Sequence, residues 1–183
     1  VNNNSKPSSS PTFGDKNPPV NSTSSTRSNV QKVNLSEWVR PNSLYGDTEY
    51  TGGELMLASK QKRFYYVLAA TEEFKTENAD TSVTLRNVDN ADSSLGYGKY
   101  HVVNHVPSDE KNVISWTKSD AIRDGSQENT LEVRDISKDK IELYINGTLV
   151  NTIKNVYGYP GGVVGLYSGD KVKIAFKDLQ IKK

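Results

Sequence analysis

Side chains able to do chemistry are sparse in this chain. Its two histidines, His101 and His105, stand in the run "YHVVNHV". Four residues apart on a strand, they share a face but lie roughly 13 Å from one another, too far to ligate one metal. Nucleophilic catalysis has little to build on, with no cysteine and no Gly-x-Ser-x-Gly elbow. Glycoside hydrolysis needs two carboxylates at a set separation. The nearest approach is "LEVRDI", where Glu132 and Asp135 are three residues apart, so alternation sends them to opposite faces as solvated charges. Sugar binding asks for less: an aromatic platform and a few planar polar groups on an open surface. Arg86, Tyr97, Tyr100, His101, His105 and Trp116 form the candidate set for a ligand surface. Within it, the favoured reading of Trp116 is a place in the core beside Ile114, with its indole N–H on a carbonyl. Tyr97, between Gly96 and Gly98, reads as a loop residue.

One oxygen-rich loop, "NVDNADSS", brings Asp89, Asn90 and Asp92 together as a candidate Ca²⁺ site. It lacks the Asp-x-Asp-x-Asp-Gly spacing, and the same residues make ordinary turns, which is the favoured reading. The glycines of "YPGGVVG" precede no helical pattern, so they are turn and strand glycines rather than a phosphate loop. No other cofactor is implied.

Short apolar-alternating runs separated by turn residues must position these groups. "GELMLAS", "RFYYVLAATEEF", "TSVTLRNV", "GKYHVVNHV", "NVISWTK", "NTLEVRDI", "KIELYIN", "TLVNTI", "GVVGLYS" and "KVKIAFKDLQI" read as strands. Such spacing predicts an all-β fold, a two-sheet antiparallel β-sandwich over residues 35–183. A short helix or turn fits "LSEWVRP". The pair Asn146-Gly147, between β-branched and aromatic runs, predicts a two-residue type I′ hairpin. Its register pairs Ile145 with Thr148, Tyr144 with Leu149 and Leu143 with Val150, and points Ile141, Leu143, Ile145 and Val150 inward. Leu166, Ile174 and Phe176 join them in the predicted core. In the last run, Val172, Ile174 and Phe176 alternate on one parity, and Leu179 and Ile181 on the other. Both sets face one core only if a bulge intervenes near Lys177-Asp178.

Residues 1–34 are Ser, Asn, Thr and Pro with few apolar side chains. They bury too little to offset their ordering entropy and read as a flexible tether. The whole 183-residue chain carries 23 basic and 22 acidic residues, a net charge of +1. Near-neutrality argues against nucleic acid and anionic membrane as partners. Direct membrane insertion is not expected, since no apolar run reaches the ~20 residues of a spanning helix.

Four pieces in order resemble the concanavalin A-like lectin/glucanase jelly rolls, including laminin-G-like and DUF1080-type bacterial domains. They are Asn129 opening a strand, Ile145-Asn146-Gly147, Gly162-Val163-Val164-Gly165-Leu166, and Ile174-Ala175-Phe176-Lys177-Asp178-Leu179. The resemblance implies a jelly roll and, from the laminin-G-like branch, calcium. Its glucanase branch carries Glu-x-Asp-x-x-Glu on one strand, a string missing here. The resulting expectation is a noncatalytic carbohydrate-binding or adhesive module, its partner a glycan or cell-surface polysaccharide. It would sit outside a bacterial cell on its N-terminal tether. Two alternatives stand beside it: a sugar-active hydrolase or lyase with an unfamiliar site, and an assembly domain using its tail or an edge strand.

Overall fold

The structure is a computed structural model, and it describes residues 29–69, 80–88, 98–106, 109–137, 139–155 and 162–182. Within them the chain forms β1 (Val30–Lys32), a 3₁₀ turn (Leu35–Trp38), β2 (Gly46–Thr51), β3 (Glu54–Ser59), β4 (Tyr65–Ala69), β5 (Asp80–Asn87) and β6 (Lys99–Val106). It continues through β7 (Asp109–Lys118), β8 (Asn129–Ser137), β9 (Lys140–Ile145), β10 (Thr148–Lys154), β11 (Gly165–Gly169) and β12 (Lys173–Lys182). Every pairing is antiparallel, and the fold is an all-β sandwich.

The main layer is an eight-stranded sheet in the order β10-β9-β8-β5-β12-β3-β2, with β1 added on β12. Along one edge β12 pairs with β5, and along the other it pairs first with β3 and then with β1. Opposite, the described residues form two ladders, β4–β11 and β6–β7. Leu55 and Leu57 of β3, Leu85 of β5, Phe176, Leu179 and Ile181 of β12 fill the space between the layers. Leu68, Leu166, Leu35 and Trp38 meet them there. Fully burying each such side chain contributes about 1.5–3 kcal/mol.

The bulge expected in the last strand is present. Register slips by one residue between Lys177 and Gln180, and Asp178 takes φ 53°. Because of it, Ile174 and Phe176 before the slip and Leu179 and Ile181 after it are all buried. The 3₁₀ turn also falls where "LSEWVRP" suggested, capped by the Asn34 side chain, which accepts from the Ser36 N–H.

Several expectations need correction. The sheet begins inside the stretch read as tether, because Val30–Lys32 pair with Gln180–Lys182. β2 had no apolar alternation to announce it, since as an edge strand it buries only Gly46 and Thr48. The Asn146-Gly147 turn is as expected, with φ 51° and 79°, and Thr148 and Leu149 pair with Ile145 and Tyr144. Beyond them a bulge at Val150 sets Asn151, not Val150, opposite Leu143. Ile145, Leu166, Ile174 and Phe176 are buried, whereas Ile141, Leu143 and Val150 are only half-buried. Glu142 is more buried than its apolar neighbours because Lys140 and Tyr144 close over its carboxylate.

Candidate functional site

Strands β6 and β7 build the most open aromatic surface that includes the expected candidates. Tyr100 of β6 packs against the core. Its hydroxyl donates to the Val150 carbonyl at 3.2 Å and accepts from the Asn151 amide at 3.3 Å. Alternation turns the next residue, His101, to the other face. There its imidazole stacks on the indole of Trp116, with ring centroids 3.8 Å apart and planes 9° from parallel. Trp116 is 55% exposed. The expected place in the core beside Ile114 is therefore not the one it takes. Two register slips, between Tyr100 and Val102 and between Val102 and Val103, put extra residues on β7. Such bulges re-aim side chains and twist a ladder locally. The His101–Trp116 stack lies beside the first of them.

An imidazole lying flat on an indole covers part of one ring and fixes its angle. The rest of the indole stays available to solvent, with an N–H donor at its edge. This arrangement can stack the C–H face of a pyranose and donate to one of its hydroxyls.

Arg86, the expected cationic partner, is elsewhere. It lies on β5 between Leu85 and Asn87, both buried, so its side chain takes the outer face of the large sheet. Its guanidinium donates to both Glu54 oxygens, at 3.0 and 2.5 Å. These bonds hold the Glu54 carboxyl below its ordinary value of 4.5, against the opposing effect of burial. The structure thus does not bring Arg86 to the His101–Trp116 stack. In register His105 pairs with Glu110, while its side chain lies outside the described residues, as do Tyr97 and the loop residues Asp89, Asn90 and Asp92.

The same outer face holds a second charged chain. Glu132 accepts from Arg134 at 2.9 and 3.1 Å, so this carboxylate is paired rather than merely solvated. The Arg134 guanidinium sits 4.1 Å from the centre of the Tyr144 ring. The Tyr144 hydroxyl and the Lys140 ammonium each donate to Glu142 at 2.6 Å. Lys140 first and Tyr144 second hold the Glu142 carboxyl low, and Glu142 pushes the phenol of Tyr144 up. Among the described residues, the two carboxyls with a shifted affinity, Glu54 and Glu142, favour the ionised form, the reverse of what a general acid needs.

Beneath the turn of β9 and β10 lies a polar hub that sequence reading did not assemble. Asn129 is fully buried. Its amide donates to the carbonyls of Arg123 at 2.9 Å and Gln127 at 3.3 Å. Its oxygen accepts from the Arg123 N–H and the Asn146 amide, each at 2.8 Å. Asn146 also donates to the Ala121 carbonyl at 2.8 Å and accepts from the Thr130 N–H at 2.9 Å. The two asparagines of the sequence pattern thus bond to each other and tie the 121–128 loop to the hairpin. The signal was the pattern itself, Asn129 opening one strand and Asn146 closing another.

No protein-family model and no curated protein matches the chain. Among solved structures it is similar to the receptor binding domain of botulinum neurotoxin D, with a TM-score of 0.47 and 11% identity over 86% of this chain and 45% of that one. The binding domain of botulinum neurotoxin serotype G gives a TM-score of 0.46 and 11% identity over 86% and 44%. A 1,3-alpha-1,4-beta-D-galactose-4-sulfate-3,6-anhydro-D-galactose 4 galactohydrolase gives 0.48 and 12% identity over 92% and 99%. The chain spans less than half the length of the two neurotoxin domains. At such scores and identities the likeness assigns neither family nor function.

Proposed function

We propose that this chain is a noncatalytic carbohydrate-binding or adhesive module of an extracellular or cell-surface protein, taking a neutral glycan on the outer face of the β6–β7 ladder. The observation that carries this reading is Trp116, 55% exposed and braced flat by His101. Its orientation is fixed before any ligand arrives, which reduces the ordering cost of binding. The apolar face of a sugar stacks on the indole, and the imidazole nitrogens and indole N–H meet its hydroxyls. Affinity is modest, because sugar hydroxyls exchange water bonds of nearly equal worth.

The test is a glycan array followed by titration of hits against Trp fluorescence, with a hydrolysis assay on the same sugars. Binding that quenches Trp fluorescence, and falls at least tenfold in Trp116→Ala, supports the reading. Failure to bind across a broad panel overturns it in favour of an assembly role. Turnover that is lost on replacing Glu54, Glu132 or Glu142 overturns it in favour of an enzyme.

A further inference from the structure

We propose a second, separate surface: the end of the molecule built by the turns 43–45, 60–64 and 170–171 docks onto an anionic lipid bilayer. Leu44 is 82% exposed and stands in a patch with the exposed rings of Tyr45 and Phe64. Behind it the turns are zipped together. The Lys60 N–H donates to the Tyr45 carbonyl at 2.9 Å, the Lys60 ammonium to the Ser43 carbonyl at 2.8 Å and the Gln61 amide to the Leu44 carbonyl at 3.2 Å. Arg63, at φ 58°, gives its N–H to Asp170 at 2.6 Å, which ties in the third turn. Beside Leu44 the rings of Tyr45 and Phe64 stack at 5.0 Å, and both are exposed.

Charge decides the occupant. Lys60, Lys62, Arg63 and Lys171 stand on these turns, against Asp170 and the neighbouring Asp47, which pairs with Lys60 at 2.5 Å. The chain's net charge of +1 averages this local excess away. Cations beside exposed aromatic and aliphatic side chains match the boundary between anionic headgroups and acyl chains. An acidic polysaccharide would use the cations but gain little from Leu44. A second copy of this chain, meeting the same patch face to face, would set like charges against each other.

The experiment is co-sedimentation of the full chain with phosphatidylcholine vesicles, with and without phosphatidylserine. We expect binding to the phosphatidylserine vesicles, at least tenfold weaker at 0.5 M than at 0.1 M salt. Lys62→Glu combined with Arg63→Glu should weaken it at least tenfold, and Leu44→Asp severalfold at constant salt. Thermal unfolding should confirm that all variants fold, and glycan binding through Trp116 should be untouched, which keeps this surface distinct from the proposed sugar site. Equal partition into both vesicle types, or a Leu44→Asp variant that binds like the parent, overturns the proposal. So does a dimer in solution that Leu44→Asp dissolves.

Discussion

Two hairpins of this sandwich are put together in opposite ways. β9–β10 is held from within: its turn has the two positive φ angles that Asn146 and Gly147 accept, and its Asn146 side chain reaches into the Asn129 hub. β6–β7 is anchored on the core through Tyr100, which bonds to β10, while the other face exposes Trp116 against His101. The first hairpin spends its polar groups on the fold. The second leaves its largest aromatic group to the solvent, where it stabilises little and is free to serve a ligand.

The comparison breaks most visibly at the hub. Asn129→Ala removes the partner of the Arg123 N–H, the Arg123 carbonyl and an Asn146 amide hydrogen. Each buried group left unpaired costs about 1–3 kcal/mol, so the variant should lose about 3–5 kcal/mol in denaturant unfolding. A loss below about 1 kcal/mol would mean that water replaces the side chain and that the hub is not structural. A smaller effect is expected one layer out. Gly147→Val asks a β-branched residue to hold φ 79°, which should cost about 1–3 kcal/mol. An added Cβ there meets no atom within 4 Å, so the expected loss comes from backbone strain and not from a clash at Cβ.

The Glu54–Arg86 pair ranks next. Arg86→Ala strands a carboxylate that is only 16% exposed and should cost about 1–2 kcal/mol at neutral pH. The pH dependence has a definite sign. The folded carboxyl of Glu54 lies below its ordinary 4.5, so the pair's contribution is fully present above that value. It is lost as pH falls through the lower, folded value. The difference between parent and Arg86→Ala should therefore be flat from pH 5 to 8 and shrink in acid. A difference that instead grew in acid would contradict the pairing.

What was legible in the sequence divides along the same line. The Asn-Gly turn, the 3₁₀ turn and the bulge at Asp178 were readable, because each follows from local φ preference or from a switch in alternation parity. β2 was not, because an edge strand need not alternate in polarity. The pairing of β4 with β11 was not legible either, since it joins residues distant in the chain. At the candidate site, residue types indicated aromatic and imidazole groups, but not which face of β7 Trp116 takes, since its bulges break the simple alternation. Arg86 looked available because Glu54 is 32 residues away, and only the register of β12 against both β3 and β5 brings them together.

The smallest stability effect carries the sharpest functional meaning. Trp116→Ala removes a side chain that is 55% exposed and touches His101 rather than the core. Surface changes of this kind usually stay within about 0.5 kcal/mol, with the lost ring stacking adding about 0.5–1.5 kcal/mol at most. The variant should therefore unfold within about 2 kcal/mol of the parent while losing glycan binding at least tenfold. Trp116→Phe separates the two contributions, since it keeps an aromatic face but no N–H donor. It should retain stability and recover part of the binding. If Trp116→Ala were instead as destabilising as Asn129→Ala, the ring would belong to the fold, and the contrast between the two hairpins would fail. Isothermal denaturation and glycan titration on the same three proteins decide the matter.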